Sequence, residues 1–397
     1  MRLNRPVFLI LLFVGHFIFS SSKAQNTPEV SVPFVLNFDH IIIQISLDGS
    51  EPLNFLFDSG AGGTLVTEEV ADSLGLKSTV SRKNVGVSGS HRVGVIKGVR
   101  LAIEGTKVGN ITVLSAGTPL EEMDNGSKVH GIIGYPILSR YIVEVDYEKS
   151  ILNLYDRNSY KYNGGGQTLP INILSNLPIA SATVIMYNDM AFDGDFMIDT
   201  GARSYMIISA PSVVRYNMAD NIGEYYSVRA TIGSSQKRTK IRYGKLKSVI
   251  FADIDFDDLP VALSSDSKGV LSMSDIDGII GNRLLSRFKI IFDYHHGVIH
   301  LEPNNFIGDD YEISLSGFGI NFKSGKPFIK NVIDQSPGDK AGLRNGDEVI
   351  SINGILVENI SSDDIREAFS EDGGKIEIVI KRNKKLKYTE FTLKSLI

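Results

Sequence analysis

Two short segments carry residue types suited to acid–base hydrolysis. Phe55-Leu56-Phe57 runs into Asp58-Ser59-Gly60-Ala61, and Phe196-Met197-Ile198 runs into Asp199-Thr200-Gly201-Ala202. Each is an apolar strand that ends in an acid, a hydroxyl and two small residues. Either tripeptide alone reads as a β-turn, which these residue types favour. Together they supply a carboxyl dyad. Two carboxyls roughly 3 Å apart cannot both ionise cheaply, so they hold one proton between them. The ionised partner can then take a proton from a water as it attacks a peptide carbonyl that the protonated partner polarises, and the proton passes later to the leaving nitrogen. This chemistry calls for no cofactor, metal or covalent intermediate. Ser59 and Thr200 offer hydroxyls that can reach across and lock the two loops, while Gly60 and Gly201 let backbone N–H groups approach the carboxylates with no Cβ in the way.

The elements that must position these loops occur twice. Gly131-Ile132-Ile133-Gly134 followed by Ile137-Leu138-Ser139-Arg140-Tyr141 is matched by Gly278-Ile279-Ile280-Gly281 followed by Leu284-Leu285-Ser286-Arg287-Phe288. Asp146-Tyr147 with Ile151 and Leu154 is matched by Asp293-Tyr294 with Val298 and Leu301. The offset is 141 residues at the Asp pair and 147 at the later landmarks, so the second copy has gained residues in a loop between them. Upstream of each Asp a hairpin is predicted, Ile41 to Leu47 turning at Asp48-Gly49 into Leu53 to Phe57, and Ile179 to Ile185 turning near Asn188-Asp189 into Phe192 to Ile198. Helical spacing competes only after each Asp, over 65–75 and 207–218. Gly164-Gly165-Gly166 reads as a hinge between the copies. Two related halves about a pseudo-twofold axis would bring Asp58 and Asp199 face to face.

Composition narrows the classes further. A chain of 397 residues with 38 Gly, 13 Pro, 20 Phe and 15 Tyr but no Trp fits a turn-rich, mainly β protein of several domains. Forty-one basic against 46 acidic residues give a net charge of −5, which argues against a nucleic-acid partner. The absence of Cys removes thiolate chemistry, disulfides and Cys-ligated metal. His295, His296 and His300 flank one hairpin turn and read as a local feature rather than a metal site. Asp146 and Asp293 read as turn acids. At the N-terminus, Arg2 and Arg5 precede an apolar run from Val7 to Phe19 and small residues before Ala24, the pattern of a cleaved export signal over 1–24. Those thirteen apolar-run residues fall short of the roughly 20 needed to span a bilayer, so no stable membrane span is expected after cleavage. The expected destination is the bacterial periplasm or the medium.

On these residues the region from about 30 to 305 resembles a single-chain, two-lobed aspartic peptidase of the retropepsin-like group. The resemblance implies two β-barrel lobes over 25–165 and 166–305, with Asp58 and Asp199 catalytic, Ser59, Gly60, Thr200 and Gly201 supporting them, and each Ile-Ile-Gly segment crossing behind a dyad loop. It also implies glycine-rich flap hairpins over the substrate, with candidate tips at Ser88-Gly89 and Gly233-Ser234. No Tyr occurs between Ala61 and Gly134, which favours the retroviral arrangement over that of pepsin. Ala61 and Ala202 stand where pepsins often carry a hydroxyl, so a less acidic pH optimum is expected.

From about residue 306 to 397 the repeat gives way to Gly317-Phe318-Gly319-Ile320, Ser336-Pro337, Lys340-Ala341-Gly342-Leu343, Gly346-Asp347 and Ile352-Asn353-Gly354. This succession resembles an α+β PDZ domain in permuted bacterial strand order. The resemblance implies that the Phe318-Gly319-Ile320 loop receives a peptide's terminal carboxylate while the peptide adds a strand beside it, with Ile365 and Phe369 on the helix side of the groove. The alternative for these apolar residues is core packing in a domain with a degenerate groove. The function expected is an exported aspartic endopeptidase acting on an extended polypeptide, with the PDZ domain recognising substrate or another peptide. The alternatives are an envelope scaffold that has lost turnover and acts through its PDZ domain, and a chain that processes only itself.

Overall fold

The computed structural model describes residues 26–86, 89–117, 120, 122–123, 126–230 and 239–397. Residues 1–24, the expected export signal, lie outside them. Strands dominate among the described residues, as the glycine-rich, aromatic composition predicts.

The first repeat copy contains β1 (Val30–Pro33), β2 (Val35–Asn37), β3 (His40–Leu47), β4 (Leu53–Phe57), β5 (Thr64–Thr67), helix α1 (Glu68–Ser73), β6 (Val80–Gly86), β7 (Gly89–Ile103), β8 (Thr106–Ala116), β9 (Gly131–Ile133), α2 (Tyr135–Leu138), β10 (Tyr141–Asp146) and β11 (Ile151–Asp156). Its alternating pattern puts Ile41, Ile43, Ile45, Phe55 and Phe57 inside at 1% exposure or less. Neighbouring strands run in the order β3-β4-β9-β5-β8-β7, and β3 pairs back onto β7, so the ladder returns on itself. The predicted hairpin turn is present, with Asp48 and Gly49 both left-handed.

The second copy contains β12 (Gln167–Pro170), β13 (Asn172–Leu174), β14 (Leu177–Ile185), β15 (Ala191–Asp199), β16 (Met206–Ile208), α3 (Ala210–Arg215), β17 (Tyr226–Ala230), β18 (Thr239–Lys245), β19 (Ser248–Phe251), β20 (Ile254–Asp257), β21 (Pro260–Leu263), β22 (Gly278–Gly281), α4 (Asn282–Leu285), β23 (Phe288–Asp293) and β24 (Val298–Pro303). Its order β14-β15-β22-β16-β21-β18 repeats that of the first copy. Here the counterpart of the long β7 is broken at Leu246 and Lys247, and its second piece, β19, pairs back with β14.

A sheet that neither copy could make alone joins the two. Strands run β1-β11-β10-β23-β24-β12, and the central pairing is Val143 with Phe292, Glu144 with Ile291 and Val145 with Ile290. Because 147 residues separate equivalent positions, Glu144 stands opposite its own counterpart and the pseudo-twofold axis passes through that pair. One apolar cluster, from Val30 through Phe292 to Leu301, runs through both lobes beneath this sheet. Gly166 packs so tightly on it that an added Cβ would lie 2.2 Å from Leu301 O. Gly164 and Gly166 are thus close-packed, not free as a hinge would require, while Gly165 between them faces open space.

The C-terminal domain holds β25 (Gly319–Lys323), β26 (Lys326–Lys330), α5 (Pro337–Lys340), β27 (Glu348–Ile352), β28 (Ile355–Leu356), α6 (Ser362–Ala368), β29 (Lys375–Arg382) and β30 (Lys385–Thr392) around its own core. Ser361 caps α6, its side chain accepting the Asp364 N–H while the Asp364 carboxylate accepts the Ser361 N–H.

Candidate active site

The two Asp-hydroxyl-Gly loops meet on the axis. β9 runs parallel to β4 and its Ile133 carbonyl accepts the Asp58 N–H at 2.9 Å, while β22 pairs in parallel with β15 up to Asp199 and Gly281. Each Gly-Ile-Ile-Gly segment thus lies beside the strand that carries an Asp. The hydroxyls cross the axis in both directions. Ser59 Oγ donates to Ile198 O at 2.7 Å and accepts the Thr200 N–H at 3.0 Å. Thr200 Oγ1 donates to Phe57 O at 3.3 Å and accepts the Ser59 N–H at 2.9 Å. Both side chains are fully buried.

This lock holds the carboxyls of Asp58 and Asp199 in hydrogen-bonding contact. Each packs over the opposite loop's glycine: a Cβ on Gly60 would lie 2.5 Å from Asp199 Cγ, and one on Gly201 would lie 2.4 Å from Asp58 Cγ. Their environments differ. Asp199 is 4% exposed and accepts the Gly201 N–H at 2.8 Å, whereas the buried Oδ1 of Asp58 has no partner in the protein. Burial and then the charge of Asp199 push the Asp58 carboxyl well above the usual carboxylate range. Burial raises Asp199 as well, but the hydrogen bond from Asp58 and the Gly201 and Ala202 N–H groups oppose it. Both carboxyls are thus raised, and the pair titrates as one unit that can hold a single proton between its members.

Sequence reasoning missed the layer beneath the dyad, although the repeat offset points to it. Tyr147 and Tyr294 are equivalent, as are Tyr135 and Asn282. Tyr147 donates its hydroxyl to Asn282 Oδ1, and Asn282 Nδ2 donates to Asp39 O at 2.6 Å. On the other side a tyrosine replaces the amide: Tyr135 and Tyr294 rings lie 6.2 Å apart, and the buried Tyr294 hydroxyl has no partner in the protein. Burial first, and the neighbouring Asp58 charge second, push the Tyr294 phenol well above its ordinary range.

The candidate flap residues fare unequally. β6 and β7 form an antiparallel hairpin whose arms run to Gly86 and Gly89, so Gly89 opens the second arm. Ser88, Gly233 and Ser234 lie outside the described residues. β17 and β18 supply the arms of the second hairpin. Asp146 accepts the Lys149 N–H, Asp293 accepts the His296 N–H and contacts the His296 ring at 2.7 Å, and the His300 ring stacks on Tyr162.

In the C-terminal domain, β25 pairs with β26 along one edge. Phe318 and Ile365 are buried in the domain core, at 9% and 5% exposure, while Ile320 and Phe369 keep partly exposed surface. The Phe318 and Phe369 rings meet edge-on at 5.6 Å. The expected groove residues thus divide between core and surface.

Residues 43–137 match the family model for aspartyl protease, and residues 328–382 match that for the PDZ domain. Among solved structures, the aspartic proteinase from Irpex lacteus is similar at 15% identity, with a TM-score of 0.43, over 70% of this chain and 98% of that one. No curated protein matches. The chain carries an aspartyl protease domain and a PDZ domain.

Proposed function

We propose that the protein is an exported aspartic endopeptidase that cleaves extended polypeptides with the Asp58–Asp199 dyad. The observation that carries this reading is the reciprocal packing of each carboxyl on the opposite loop's glycine, locked by Ser59 and Thr200. Ionised Asp199 takes a proton from a cleft water as that water's oxygen bonds to the peptide carbonyl carbon. Asp58 donates its hydrogen bond to the carbonyl oxygen, which gathers the displaced electron pair. The C–N bond then breaks as Asp199 returns its proton to the leaving nitrogen, and the dyad is restored with one proton. The family matches support a peptidase with a PDZ domain. Export rests on the basic, apolar and small-residue pattern of residues 1–24. The PDZ groove takes a peptide's free carboxylate beside Phe318-Gly319-Ile320 and lays its chain along β25.

The test is hydrolysis of a peptide library by the mature chain with and without a statine-type transition-state mimic. Asp58→Asn and Asp199→Asn are each expected to abolish inhibitor-sensitive cleavage. Unchanged turnover in either variant removes the mechanism.

A further inference from the structure

Each lobe sends a two-residue turn across the axis to the other lobe's dyad loop. The turns are equivalent by register: Ile43 pairs with Phe55 as Ala180 pairs with Phe196. In lobe 1 the turn is Phe38-Asp39, between Asn37 and His40; in lobe 2 it is Ser175-Asn176, between Leu174 and Leu177. All four turn residues are left-handed. Asn176 Nδ2 donates to Gly62 O at 3.0 Å, and His40 Nε2 contacts Gly201 O at 3.0 Å. A carbonyl oxygen can only accept, so Nε2 of His40 carries the proton.

Among the described residues, only the lobe 1 turn is also held from outside. The Phe38 ring packs 5.9 Å from Phe322 of β25 and joins the edge of the PDZ core. Asp39 accepts from Arg366 of α6 at 3.0 Å and from Arg283 of lobe 2 at 2.9 Å, and Glu312 lies against both guanidiniums. Burial alone would raise the Asp39 carboxyl, but the two arginines hold it below its ordinary range. The sequence difference between the turns, an aromatic, an acid and an imidazole against Ser, Asn and Leu, falls on the side where the PDZ domain sits.

We propose that His40 is a positioning residue for the Asp199 loop, and that the PDZ domain, by gripping Phe38 and Asp39, is a working part of the peptidase site for every substrate, including those that never enter its groove. This rests on the reading of Asp58 and Asp199 as the catalytic pair. Gly201 carries both groups that matter, in the two peptide planes that flank its Cα: its N–H bonds Asp199, and its carbonyl is the one His40 holds. Releasing the turn loosens that residue and with it the base. Recruitment by the groove would act on substrate affinity; this contact acts on the chemical step.

The experiment uses the full mature chain and a short internally quenched peptide with an amidated C-terminus, which offers the groove no carboxylate. His40→Leu and Arg366→Gln are each expected to lower kcat roughly tenfold with KM within about twofold of the parent. His40→Gln, whose amide N–H can reach the Gly201 carbonyl, and Arg366→Lys, which keeps the charge, are expected to recover most of the loss. Thermal melts separate the effect from unfolding, and if His40→Leu does not fold, the Arg366 pair and His40→Gln decide. Unchanged kcat in Arg366→Gln or in a folded His40→Leu overturns the proposal, as does a change confined to KM or a failure of His40→Gln and Arg366→Lys to recover. Asp58→Asn is run in parallel: if it leaves turnover intact, the peptidase reading fails, whereas its loss of turnover beside fully active His40 and Arg366 variants overturns only the coupling.

Discussion

Gly60 lies against Asp199 with no room for a side chain, since a Cβ there would sit 2.5 Å from the carboxyl carbon and 2.7 Å from either oxygen. The expected consequence of Gly60→Ala, or of Gly201→Ala against Asp58, is separation of the carboxyls and a fall in kcat of more than about 100-fold. Steady-state hydrolysis beside a folding assay checks this; an alanine variant with near-parental kcat would contradict the contact.

The raised Asp58 carboxyl ties stability to pH. Folded Asp58 holds its proton at pH values where the unfolded chain has released it, so this group's contribution is full below the ordinary carboxylate range and is lost as pH rises through the raised folded value. Asp58→Asn removes that loss. The variant is expected to be inactive yet to melt higher than the parent at neutral pH, with the gap closing on acidification. Turnover should follow a bell, falling at high pH as Asp58 ionises and at low pH as Asp199 protonates. Melting curves and kcat across pH measure both.

Ser59 and Thr200 form one unit, each donating to the other lobe's backbone and accepting from the other's N–H. Ser59→Ala and Thr200→Ala are each expected to cost about 1–3 kcal/mol, because buried amide and carbonyl groups lose their partners. The double variant should cost less than the sum, which a denaturant double-mutant cycle reads directly.

Tyr147 and Tyr294 are equivalent by repeat but not by chemistry. Tyr147→Phe leaves Asn282 Oδ1 without its donor and is expected to destabilise by about 1–3 kcal/mol. Tyr294→Phe removes a hydroxyl that has no partner in the protein, so its stability should stay close to the parent's. Equal losses in chemical denaturation would contradict this asymmetry.

The repeat was legible because it is written in residues with few substitutes. Asp58 and Asp199, the small residues after them, and the Gly-Ile-Ile-Gly strands occupy places where size or charge decides, so type and spacing survive in both copies. The hairpins were legible from alternation and from Asp48-Gly49. The ladder between β10 and β23 was not, since its register is set by an axis between copies and not by any local pattern. Phe38-Asp39-His40 carries no motif at all; its meaning comes from partners 161, 244 and 327 residues away. Gly164-Gly166 misled for a related reason, because glycine marks close approach and free rotation with the same letter.

The strand ladder through Glu144 and Ile291 makes the floor of the cleft a single woven piece. The two lobes cannot swing apart like jaws without tearing backbone hydrogen bonds, so on the proposed reading whatever is cut must reach Asp58 and Asp199 with the two halves held at fixed spacing.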